Sequence, residues 1–215
     1  MAVIVYQCNQ SSELYLERRK IVNGSLGAGA PLTKKCIAEI SASIAADDKD
    51  ITFGLHGIMP PTLLYADTTP GQTKLVWFRP PEARLAYFSE TLGIEDGILK
   101  CPGLVYVADN ERLTLYAFKG MKPKSKLYRA PFMNVGDGNV CLGNAKIAKP
   151  KANTFFEVMA YWEELFWKSE FSHILGSNPV NGNLASITKA CIKTGTPIPS
   201  SVLIPVNTKL QDLLK

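Results

Sequence analysis

Two histidines, His56 and His173, are all the imidazole this chain has, and its five cysteines, Cys8, Cys36, Cys101, Cys141 and Cys191, include no Cys-x-x-Cys pair. So sparse a donor set does not suit a four-ligand zinc centre, and no metal ligand is assigned. Free thiols in a reducing cytoplasm are expected. No apolar run approaches the roughly 18 residues of a membrane span. The opening MAVIVYQCNQ has a short apolar stretch and no basic leader, so no secretory signal is expected. Charge of one sign is scarce too: 24 Lys and Arg against 19 Asp and Glu leave a dispersed +5. The densest basic cluster, Lys122, Lys124 and Lys126, is short and reads as a solvated turn rather than a phosphate-binding patch. Neither a nucleic-acid nor a membrane partner is expected.

What remains is an ordinary globular composition, 46% apolar and 20% charged over 215 residues. It excludes disorder as the main state and allows a core of normal size. The length suits one domain over 1–215, with an N-terminal elaboration of about 50 residues.

The first stretch reads as a strand pair, Val3 to Gln7 and Glu13 to Val22, with a turn at Asn23-Gly24. SLGAGAP, by composition, reads as a loop. Leu32, Cys36, Ile37, Ile40 and Ile44 then recur at helical spacing, which predicts an amphipathic helix ending near Asp47. Residues 51–128 read mostly as antiparallel strands. The clearest hairpin joins Gly103–Ala108 to Arg112–Lys119, and large residues on both faces of its second strand (Leu113 and Leu115, Tyr116 and Phe118) predict cover on both sides. Beyond residue 153 the pattern is helical. Thr154 with Glu157 makes a capping box, and Phe155, Met159, Trp162 and Phe166 form a core stripe. Further helices are expected over Leu184–Lys193 and Lys209–Leu214. The fold class is α+β, helices packed on an antiparallel β-meander.

One stretch stands apart. APFMNVGDGNVCLGNAKIAKP, residues 130–150, lies between the expected sheet and the long helix, and its glycines and asparagines argue against a regular element. Cys141 sits inside it, followed by Leu142-Gly143-Asn144, and glycine beside a thiol lets a substrate backbone approach closely. Asn134 offers an uncharged donor for an oxyanion.

Gly138-Asn139-Val140-Cys141-Leu142 resembles the Gly-x-(Ile or Val)-Cys-Leu active-site segment of ubiquitin-conjugating enzymes, in which a His-Pro-Asn loop precedes the cysteine. The run MPPTLLYAD, CPGLVYVAD, LTLYAFKG, LYRAPFMN, VCLGN and WEELFWKSEFSH, in that order, is similar to the bacterial family called PRTRC system protein B, grouped with the prokaryotic branch of the ubiquitin-conjugating fold. The resemblance spans Met59 to His173. It implies a thioester-forming Cys141, an oxyanion role for Asn134, and a downstream site histidine at His173. Asn134 stands seven residues before the cysteine, one fewer than in that pattern, and Phe132-Met133 occupies the place of the motif's histidine and proline.

The chemistry implied is acyl transfer without a cofactor. A ubiquitin-like carrier would pass from a ThiF-like adenylating enzyme to Cys141 and then to an amine. The attacking species is a thiolate, so a free thiol of pKa about 8.5 needs help from its surroundings. Other readings stay open. Cys141 as a small buried hydrophobe, Asn134 as a loop-shaping residue, and His173 as a helix-end residue each describe structure alone. His56 reads as structural, and Cys8, Cys36, Cys101 and Cys191 as packing residues. A non-catalytic module that only docks the carrier, and a Cys141–His173 hydrolase, are the functional alternatives.

Overall fold

A computed structural model of the chain describes residues 2–7, 14–22, 24–38, 55–68, 73–143, 145–150 and 153–215. Its contacts divide it into two units, Met1–Thr52 and Phe53–Lys215.

The first unit holds a three-stranded antiparallel sheet of β1 (Ala2–Gln7), β2 (Leu14–Val22) and β3 (Ser25–Pro31). The expected strand pair is present. SLGAGAP, however, is β3 and not a loop. Its small residues make room for a neighbour: a Cβ on Gly29 would lie 2.3 Å from the Glu17 carboxylate, which Arg19 on the same strand holds at 2.6 Å. Without large side chains to alternate, such a strand carries no period-2 signal. Thr33 then caps a helix, its Oγ1 accepting the Cys36 N–H at 3.3 Å. Residues 34–38 are helical (α1), and the rest of the expected helix, like Cys8, lies outside the described residues.

In the second unit, β4 (Leu63–Asp67), β5 (Lys74–Arg79), β8 (Gly103–Asp109) and β9 (Arg112–Phe118) pair antiparallel in the order β4-β5-β8-β9. Pro80-Pro81 cannot donate to a ladder, and β5 stops before it. A second sheet begins immediately after: β6 (Glu82–Phe88) pairs antiparallel with β7 (Gly97–Cys101) and parallel with the short β13 (Glu170–Phe171).

Both faces of the central sheet are covered, as the sequence of β9 implied. Leu75, Trp77, Leu104, Tyr106, Leu113 and Leu115 face a large core. That core also takes in Phe155, Met159, Trp162 and Phe166 of α2 (Phe155–Trp167) and Leu184 and Cys191 of α3 (Leu184–Thr194). Val76, Phe78, Val105, Val107 and Phe118 face a smaller one, closed by Leu127 of β10 (Lys126–Arg129) and by Leu210 and Leu213 of α4 (Leu210–Leu213). β14 (Pro205–Lys209) pairs with β10, which in turn pairs with the outer edge of β9. Burying each large apolar side chain contributes about 1.5–3 kcal/mol, so this double cover is where most of the stabilisation arises. The architecture is mixed α+β, with mostly antiparallel sheets and a few helices.

A charged group, Glu163, penetrates the core of the second unit. The Glu163 side chain is 5% exposed and accepts from Trp77 Nε1 and Arg79 Nε, both at 2.8 Å, and from Arg84 Nη2 at 2.9 Å. A buried carboxylate is tolerable only when so paired. The Trp77 ring stacks on Tyr106 with centroids 5.2 Å apart, and Trp167 Nε1 donates to the Tyr106 hydroxyl at 3.1 Å. Lys122, Lys124 and Lys126 are exposed around a turn. Among the described residues no helix is long and apolar enough to cross a membrane.

Candidate functional site

The segment 130–141 enters the core before it reaches the surface. Ala130 through Val135 are all buried. Phe132 is the anchor: its ring meets those of Phe166 and Trp167 edge-on, each at 5.3 Å, and lies against Phe171 at 5.9 Å. The residue in the place of the motif's histidine is thus an aromatic plug between α2 and β13.

The chain then forms a hairpin, against the expectation of an irregular stretch. β11 (Val135–Gly136) pairs antiparallel with β12 (Asn139–Val140) through a two-residue turn, Asp137-Gly138. Both turn residues have positive φ, 49° and 89°, as a type I′ turn requires. Asp-Gly between pairing residues is the sequence signal that marks it. Gly136 has its own cause: a Cβ there would lie 2.7 Å from the Leu175 carbonyl oxygen. The hairpin is fastened to the edge of β9 by the Asn139–Thr114 pairing and by the Leu115 N–H, which donates to the Gly138 carbonyl at 2.8 Å.

Cys141 follows β12 directly. Its N–H donates to the Asn134 carbonyl at 2.8 Å, which continues the hairpin register and sets the two residues opposite each other. Directly opposed side chains start on the same face of such a pair. Cys141 is half-buried, whereas Cys36, Cys101 and Cys191 are buried. Desolvation pushes the Cys101 thiol pKa far up and keeps it neutral and inert. The described cysteines expected to be packing residues are packing residues.

Asn134 is 2% exposed and both ends of its side-chain amide are engaged. Nδ2 donates to the Glu170 carbonyl at 2.8 Å, and Oδ1 accepts the Ser172 N–H at 3.1 Å. A third bond, Leu175 N–H to the Met133 carbonyl at 3.1 Å, lies beside these. Together they bind the stretch after α2 alongside the hairpin. His173 is exposed within that stretch, and its Nδ1 lies 2.9 Å from the Ser172 hydroxyl. A continuous run of hydrogen-bonded groups therefore joins Cys141, Asn134, Ser172 and His173.

Further contacts escape a reading of the sequence. Arg129 reaches Asp137 of the hairpin turn at 3.3 Å, and the same guanidinium donates to the Ser177 hydroxyl and to the Asn178 carbonyl. Ser172 itself carried no motif. Its position before a histidine was the available signal.

The bond expected to close the Thr154 capping box is made differently. Thr154 Oγ1 accepts the Glu157 N–H at 3.2 Å, and the Glu157 carboxylate takes the Thr154 hydroxyl at 2.9 Å. The cap holds through its first half. His56 lies away from the hairpin in the contacts that fix it: its N–H donates to the Asn153 carbonyl at 3.0 Å, and its carbonyl accepts the Phe155 N–H at 3.4 Å. It bridges to Thr154, at the start of α2.

Among the described residues no group of three or more His, Cys, Asp or Glu side chains is placed to hold a metal ion. Comparison with curated proteins and with solved structures returns no match. Comparison with protein families does: residues 38–206 match the family described as Prokaryotic E2 family D. That span includes the hairpin, Cys141, the aromatic plug and His173, and it covers well over half of the chain. The chain belongs to prokaryotic E2 family D.

Proposed function

We propose that this protein carries a ubiquitin-like protein as a thioester on Cys141 and passes it to an amine. The observation that supports the reading most is the placement of that thiol. Among the described cysteines it alone is partly exposed, and it follows a rigid hairpin within the span that matches an E2 family. A ThiF-like adenylating enzyme and a small ubiquitin-like carrier are the partners of this reading, in a bacterial cytoplasm, and no cofactor is required. The finer assignment, to the PRTRC system protein B group and its mobile-element gene cluster, rests on the order of the motifs from Met59 to His173.

In this reading Asn134 is a positioning residue. Its amide already serves the Glu170 carbonyl and the Ser172 N–H, so its main work is to hold the hairpin against the stretch that carries His173.

The test is incubation with the cognate activating enzyme, ATP and carrier. An adduct sensitive to reducing agent should form on the wild type and vanish in Cys141→Ala. Its persistence in that variant overturns the assignment. A second reading, a module that binds the carrier without chemistry, is favoured by the engagement of Asn134 at both ends. Carrier binding unchanged in Cys141→Ala, with no adduct under any condition, would select it.

A further inference from the structure

The Ser172–His173 pair carries more than its sequence announces. The two residues are adjacent, yet the hydroxyl of one lies 2.9 Å from Nδ1 of the other. The backbone of Ser172 is fixed as well, since its N–H is held by the buried Asn134 Oδ1 at 3.1 Å. Phe171, the residue before, is 1% exposed and its ring packs on Phe88, Phe132 and Phe166. The serine therefore enters its hydrogen bond from an anchored main chain, while the imidazole it touches is exposed.

We infer that Ser172 is a positioning residue for His173: its hydroxyl accepts the Nδ1–H, fixes the tautomer and ring orientation, and leaves the Nε2 lone pair as the base for the incoming amine. The inference rests on the proposed thioester at Cys141. In the step it serves, the amine nitrogen attacks the thioester carbonyl carbon and a C–N bond forms. The C–S bond breaks and sulfur leaves as the Cys141 thiolate. The proton lost by the amine goes to Nε2, and the resulting imidazolium keeps Nδ1–H on the serine oxygen. A base oriented by a third group is the general pattern for such catalysis, and which ring nitrogen is protonated is set by the bond the other makes. Asn134 links the parts, because its main-chain carbonyl takes the Cys141 N–H while its side chain holds the Ser172 N–H.

The experiment has two readouts on the full chain. Long-range proton–nitrogen NMR of histidine-labelled protein, recorded with the rings neutral, reports the tautomer of His173 and uses His56 as the internal reference. The Nδ1–H form should dominate in the wild type and in Ser172→Thr, and give way in Ser172→Ala to the Nε2–H form that free histidine favours. Single-turnover discharge of a preformed carrier thioester to free lysine is the second. Loading should be equal in all three proteins, with discharge about tenfold slower in Ser172→Ala, part of the 10²–10⁴ a full general base contributes, and restored in Ser172→Thr. An Nε2–H wild type, or Ser172→Ala equal to wild type in both readouts, overturns the inference. Failure of the wild type to load at all, with the tautomer as expected, overturns instead the thioester reading and the base role that depends on it.

Discussion

Asn134 faces Cys141 across the β11–β12 hairpin, its carbonyl taking the cysteine N–H at 2.8 Å while its side chain binds the strand that leads to His173. A single buried amide thus sets the spacing between the two halves of the candidate site.

Removing that amide should loosen the site before it disturbs the rest. Asn134→Ala takes from the part-buried Ser172 N–H and the Glu170 carbonyl their side-chain partner, a loss of about 1–3 kcal/mol. Denaturant unfolding should show it, and hydrogen exchange at the Ser172 amide should rise by more than at amides of β8.

Gly136→Ala tests the close passage of Leu175. The added methyl meets a carbonyl oxygen at 2.7 Å, which is backbone and cannot swing aside. A cost of about 1–3 kcal/mol is expected, typical of overpacking. Because the strain falls between hairpin and histidine segment, lysine discharge should fall in this variant even where its thioester still forms.

Alkylation of the native protein, followed by mass mapping, should modify Cys141 well before Cys36, Cys101 or Cys191. The three buried thiols should react only at the rate of unfolding. Early labelling of Cys101 would contradict its burial.

Stability should decline in alkali. Desolvation raises the Cys101 thiol and the Tyr106 hydroxyl above their ordinary values. The unfolded chain therefore releases these protons first, at about pH 8.5 for cysteine and about pH 10 for tyrosine. Fewer protons on the unfolded state make the slope of stability against pH negative, so their contribution is complete below pH 8 and shrinks above it. Urea midpoints at pH 7.5 and 9.5 should show the fall, and Cys101→Ala should flatten it.

Glu163 should be the most costly charged residue to remove. Glu163→Ala strands Trp77 Nε1 and the Arg79 and Arg84 guanidinium groups that now converge on its carboxylate. Breaking such a buried set costs about 3–5 kcal/mol. Glu163→Gln keeps an acceptor and should lose less in the same measurement.

How much of this was legible beforehand follows from which forces leave a trace in one dimension. The β8–β9 hairpin and α2 were readable because large apolar side chains repeat at the period of their element. β3 was not, since Gly29 answers to Glu17 and Gly27 to Lys20 on another strand. The β11–β12 hairpin reads as irregular in sequence although Asp137-Gly138 marks it, because four strand residues are too few to show alternation. The candidacy of Cys141 rests on its neighbours in sequence, that of Asn134 on its chemical type. What Asn134 holds could not be read, since Glu170 and Ser172 lie 36 and 38 residues away. Phe132 reads in sequence only as a missing histidine, and its ring partners explain its presence.

The edge of β9 has no vacancy near the site: β10 takes it at Tyr116 and Ala117, and β12 takes it at Thr114. The platform under the sulfur is thereby a rung of the same ladder that splits the interior into its two halves. Warming should then leave thiol reactivity unchanged until the whole second unit melts, with no earlier step of its own.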